Sequence, residues 1–118
     1  MGALIDVTDY AKRVGIALPT FMTAALWNDP RLKGNEENLL DFLDQCATGP
    51  MRRGEREYRE INAGVFWQDP GMPCPTMESY RVIIQPSTEH VAVVTLMEFE
   101  ERFDSRIPSE FGGSFYPV

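Results

Sequence analysis

The segment Leu4-Ile-Asp-Val-Thr-Asp-Tyr-Ala-Lys-Arg-Val-Gly-Ile-Ala-Leu-Pro-Thr-Phe-Met-Thr-Ala-Ala-Leu-Trp27 reads as two short helices joined by a tight turn at Gly15. Ala11 precedes Gly15 by four residues, and Leu18 and Phe21 follow at plus three and plus six. That is the apolar and small-residue skeleton of a helix-turn-helix, so DNA binding is the first idea to weigh. Thr8 stands as N-cap of the first helix, with Asp9 favoured by the positive helix end. Tyr10, Ala11 and Val14 make its inner face, and Gly15 supplies a left-handed cap. Pro19 suits the first turn of the second helix. Phe21, Met22, Ala25 and Leu26 recur at helical spacing until Asn28-Asp-Pro30 stops the run.

Working outward, Asn35 caps a third helix. Its apolar stripe is Leu39, Leu40, Phe42, Leu43 and Cys46, and Gly49-Pro50 closes it. Glu37, Asp41 and Asp44 line its outer face, where like charges at helical spacing repel mildly. Between Met51 and Glu60, Arg52, Arg53, Arg56 and Arg59 interleave with Glu55, Glu57 and Glu60, which reads as a short exposed helix or an ordered linker. The period then changes. Ile61, Ala63, Val65 and Trp67 alternate, as do Tyr80, Val82 and Ile84. The loop Asp69-Pro-Gly-Met-Pro-Cys-Pro75 cannot be helical. A third run, Val91 to Met97, is apolar on both faces and belongs at the centre of the sheet or beneath the helices.

The expected fold is α+β: three N-terminal helices packed on a three-stranded antiparallel meander. Strands two and three pair as a hairpin, with strand one antiparallel beside them. A chain of 118 residues forms one domain with a real core. Residues 1–49 are its helical half, 61–97 its sheet half and 98–118 a tail. Val14, Leu26, Leu39, Leu43, Val82, Ile84, Val93 and Leu96 are the expected core.

The Ile5-Asp-Val-Thr-Asp-Tyr-Ala-Lys-Arg-Val-Gly-Ile16 block, followed by Pro19 and Thr23-Ala-Ala-Leu-Trp27, resembles the opening of a family of small uncharacterised bacterial proteins common on plasmids, phages and other mobile elements. Tyr80-Arg-Val and Val93-Val-Thr-Leu-Met97 resemble its second half. Glu98-Phe99 departs from the leucine-proline usual there. The resemblance implies a cytoplasmic location and an accessory or mobile-element role. It brings no activity and no catalytic residues.

Charge and chemistry narrow the function. The net charge of −7 repels nucleic acid and anionic membrane and favours basic partners. The second helix has no Lys or Arg, and base readout would rest on Thr20, Thr23 and Asn28. Lys12, Arg13, Arg31 and Lys33 flank it and would touch phosphates. Direct nucleic-acid binding by a helix-turn-helix-like regulator is therefore the alternative, not the first reading. No run of about 20 apolar residues spans a bilayer, and the N-terminus lacks the pattern of a signal peptide. Cys46 and Cys74 show no metal or disulfide spacing. His90, the sole histidine, sits beside Glu89 at a strand start and reads as a surface residue.

No catalytic, cofactor or metal residues are expected. The leading expectation is a non-enzymatic acidic protein-interaction module. An accessory or anti-defence inhibitor of a basic, nucleic-acid-handling partner would be an instance. Glu37, Asp41 and Asp44 are the candidate docking stripe. Phe111, Phe115 and Tyr116 in the tail are expected to cover apolar surface, on their own sheet or on a second copy. A homodimer built on an exposed strand edge and that tail fits equally well.

Overall fold

The structure is a computed structural model that describes residues 4–55, 57–87 and 92–100. In chain order it contains β1 (Leu4–Asp6), α1 (Thr8–Arg13), β2 (Thr20–Thr23), α2 (Ala24–Trp27), α3 (Glu36–Cys46) and α4 (Gly49–Arg53). The chain continues with β3 (Arg59–Trp67), β4 (Thr76–Gln85) and β5 (Val93–Glu98). One five-stranded sheet has the order β1-β2-β5-β4-β3. β2 and β5 run parallel, and every other neighbouring pair is antiparallel. The expected three helices on a three-stranded antiparallel meander are thus overturned. The sheet is mixed and has five strands, and four helices accompany it among the described residues.

The correction starts at Pro19. The segment read as a second helix is strand β2 followed by the single turn α2. Thr20, Phe21 and Met22 are consecutive and all buried. Three neighbours in a row span about 200° of a helix, wider than a single buried stripe, whereas an inner strand covered on both faces buries every residue. β2 earns that position beside β5, with Thr20 opposite Val94 and Met22 opposite Leu96. The Val94 N–H donates to the Pro19 carbonyl at 2.9 Å and extends the ladder. Thr23 then switches the chain from strand to helix, its hydroxyl accepting from the Leu26 N–H at 3.3 Å. Without a helix over residues 19–27, the helix-turn-helix geometry is absent.

Thr8 also has a different task from the one expected. Val7 is the N-cap of α1, and the Asp6 carboxylate accepts the Thr8 N–H at 2.9 Å. The Thr8 hydroxyl instead accepts the Thr20 N–H at 3.0 Å and ties α1 to β2. Gly15, at φ +88°, turns the chain after α1 in the left-handed region. Asn35 caps α3 as read, accepting the Asn38 N–H at 3.0 Å. Gly49 and Pro50 do not close α3; they open α4, with Pro50 in its first turn. Gly54, at φ +75°, ends α4, so the Glu55–Arg59 pair at 3.3 Å forms outside any helix.

The helices send their buried side chains to one face of the sheet. Ala11, Leu26, Phe42, Leu43, Cys46 and Met51 join Val65, Tyr80, Val82, Ile84 and Leu96 in a single cluster. Of the expected core, Leu26, Leu39, Leu43, Val82, Ile84, Val93 and Leu96 are buried, and Val14 is half-buried against it. No helix among the described residues is long and apolar enough to cross a membrane.

Candidate functional site

The most developed surface chemistry lies where the loop after α2, helix α3 and strands β3 and β4 meet. Phe42 in α3 is fully buried, stacked on Trp67 at 5.8 Å and edge-on to Tyr80 at 4.9 Å. The Trp67 indole N–H donates to the Tyr80 hydroxyl at 2.9 Å, and that hydroxyl donates to Glu78 at 3.4 Å. Burial pushes the Tyr80 phenol up to about 12. Arg31 lies over the outer side of Trp67, its guanidinium carbon 5.0 Å from the ring. It donates to both Asp69 oxygens, at 3.1 and 3.0 Å, and to Glu78 at 2.7 Å. The Asp69 hydrogen bonds raise the Arg31 pKa further, so the guanidinium is permanently charged. A guanidinium over an indole ring that also holds a carboxylate through two N–H groups is a geometry that Lys cannot reproduce.

Two open recesses adjoin this assembly. One, of about 370 Å³, is lined by Arg31, Asn38, Asp41, Phe66, Trp67 and Asp69 among others. The other, of about 440 Å³, is lined by Asp29, Glu78, Tyr80, Glu98, Phe99 and Glu100 with Ser79. The Arg31–Glu78 pair joins them, since Arg31 lines the first and Glu78 the second. Each recess combines carboxylates with an exposed phenylalanine: Phe66 in the first, 60% exposed, and Phe99 in the second, 51% exposed.

Glu37, Asp41 and Asp44 are all exposed on α3. Asp41 accepts from the Gln45 side chain at 2.9 Å and opens onto the first recess. Asp44 is held by Arg52 at 3.0 Å, so its charge is partly offset. The structure therefore connects Asp41 to a larger acidic band, Asp69, Glu78, Asp29, Glu98 and Glu100, that the helix pattern did not reveal. Phe111, Phe115, Tyr116 and His90 lie outside the described residues.

Of the flanking cations, Arg13 pairs with Glu36 at 2.8 Å and Arg31 with Asp69 and Glu78. Burial pushes the Cys46 thiol up to about 12, which makes it an inert core side chain, whereas Cys74 is exposed. Among the described residues, no group of three or more His, Cys, Asp or Glu could hold a metal ion.

Gln45 adds a separate contact. Its side-chain amide accepts the Phe66 N–H at 2.8 Å and donates to the Phe66 carbonyl at 3.1 Å. It thereby occupies both backbone groups of one residue on the open side of β3. Comparison with family models, with curated proteins and with solved structures yields no match to this chain.

Proposed function

We propose that this protein is a non-enzymatic acidic interaction module that docks a basic protein partner across the two recesses. One observation carries the reading. Each of the six described arginines already holds a carboxylate of its own chain, so the fold absorbs its guanidinium charges internally. Asp29, Asp41 and Glu100 hold no ion pair among the described residues, and Phe66 and Phe99 stand exposed beside them. A partner segment that alternates Lys or Arg with apolar side chains matches this surface. A protein surface that otherwise holds nucleic acid has that chemistry.

The test is binding of a fluorescent Arg/Leu-alternating peptide and of duplex DNA at about 0.15 M salt. The peptide binds, and its affinity falls as salt rises. The double variant Asp29→Lys with Glu100→Lys weakens it far more than Asp6→Lys with Asp9→Lys, which makes the same charge change away from the recesses. Equal losses in the two variants would mean that net charge alone acts. Duplex binding without peptide binding would replace this reading with the DNA-binding one.

A further inference from the structure

We infer that β3 is a self-pairing edge, through which two copies of this chain join their sheets about a two-fold axis at Ile61. β3 ends the sheet order, and its nine residues pair with β4 in unbroken register from Arg59–Ile84 to Trp67–Thr76. The backbone groups of Phe66 meet Gln45, so Phe66 faces away from β4. By the two-residue repeat of an antiparallel ladder, the N–H and C=O groups of Glu60, Asn62 and Gly64 face the same open side. All three residues are exposed. Beyond the charged pair Arg59-Glu60 at its start, the strand has no Pro, no Lys and no bulge to guard it. Among the described residues, only Gln45 stops it, at Phe66.

Self-complementarity identifies the occupant. An antiparallel second copy centred on Ile61 places Glu60 opposite Asn62 and Tyr58 opposite Gly64, each twice by symmetry. The Asn62 amide then donates to the Glu60 carboxylate. Glu60 is already held by Arg81 at 2.7 Å, so the edge brings no uncompensated charge against its copy. Tyr58, 53% exposed and donating its hydroxyl to Glu60 at 3.3 Å, then lies opposite the one position on the strand that lacks a side chain. The Met77 sulfur stands 3.1 Å from where a Gly64 Cβ would be, and it meets the Tyr58 ring of the second copy. Among the described residues, three of the five exposed large hydrophobics, Tyr58, Phe66 and Met77, are gathered at this edge. Gln45 occupies the site where the added strand would continue past Tyr58, which fixes the register.

The experiment uses the full chain. Sedimentation velocity over a concentration series gives a reversible species of twice the 13.4 kDa chain mass. Asn62→Pro deletes an outward N–H and leaves the β4 ladder intact, and it weakens the dimer by about tenfold or more. Because proline can disturb a strand, a second variant tests the register directly. In the Cys74→Ser background, Ile61→Cys oxidises to a disulfide-linked dimer, since non-hydrogen-bonded partners lie about 4.5 Å apart at Cα. Ala63→Cys, about 13 Å from its copy in this register, does not. A wild-type chain that stays monomeric overturns the inference. So does a dimer that survives Asn62→Pro, or one that links through Ala63→Cys and not Ile61→Cys.

Discussion

Replacing Tyr80 by Phe removes one oxygen and keeps the ring, so it separates a buried hydrogen bond from its packing. Tyr80 is 2% exposed and Trp67 5%. The edge-on contact between the Tyr80 and Phe42 rings, at 4.9 Å, survives the change. The Trp67 N–H, which donates to the hydroxyl at 2.9 Å, is left buried without an acceptor. An orphaned buried donor costs about 1–3 kcal/mol. Urea unfolding at neutral pH should show that loss, and for a chain of this size each kcal/mol moves Tm by roughly 3–6 °C. Alkaline pH supplies a second readout. Burial holds the Tyr80 phenol at about 12, whereas in an unfolded chain it ionises near about 10. The native state then binds the proton longer than the unfolded state. The resulting stability is complete below about pH 10 and is lost as pH rises through the folded value. Tyr80→Phe lacks this ionisation, so the gap between wild type and variant narrows over that window. A loss below about 0.5 kcal/mol, together with an unchanged alkaline slope, refutes the reasoning.

Leu43 is fully buried on α3, so Leu43→Ala should lose about 2–5 kcal/mol in the same unfolding assay; a loss below about 0.5 kcal/mol would place that helix face elsewhere. Thiol labelling of the native protein should modify Cys74 alone, because it is exposed while Cys46 is buried with its pKa pushed up to about 12. Equal labelling rates would contradict the burial of α3.

Periodicity was informative wherever an element has one wet face. Ile61, Ala63, Val65 and Trp67 alternate because β3 is an edge with one face against the helices. Leu39, Phe42, Leu43 and Cys46 recur because α3 buries a single stripe. It failed where both faces are covered. Thr20-Phe-Met22 has no visible period, and Phe21, Met22 and Leu26 imitate helical spacing only because a strand runs directly into one helical turn. The β-branched Thr20 and Thr23 were the available signal, outweighed by Pro19 and the alanines. β1 spans three residues, too few for a pattern to register. Asp41 was legible as an exposed carboxylate on a helix. Its union with Asp69 and Glu78 through Arg31 was not, because those residues are separated along the chain by loops and meet only when the sheet closes.

The parallel β2–β5 pairing has a consequence for the order of folding. β5 follows every other described element in the chain, yet it sits between β2 and β4. Before it arrives, β1 and β2 can pair with each other, and so can β3 and β4, but among the described residues no strand pairing joins the two units. Closing the sheet means bringing Thr20 to Val94, a contact so distant in sequence that its entropic cost precedes most of its reward. During synthesis the edge of β2 that pairs with β5 therefore waits open until Val93–Glu98 leaves the ribosome. That interval is the chain's exposure to misassembly, and its length is set by the position of one strand in the sequence, independently of how stable the finished sheet is.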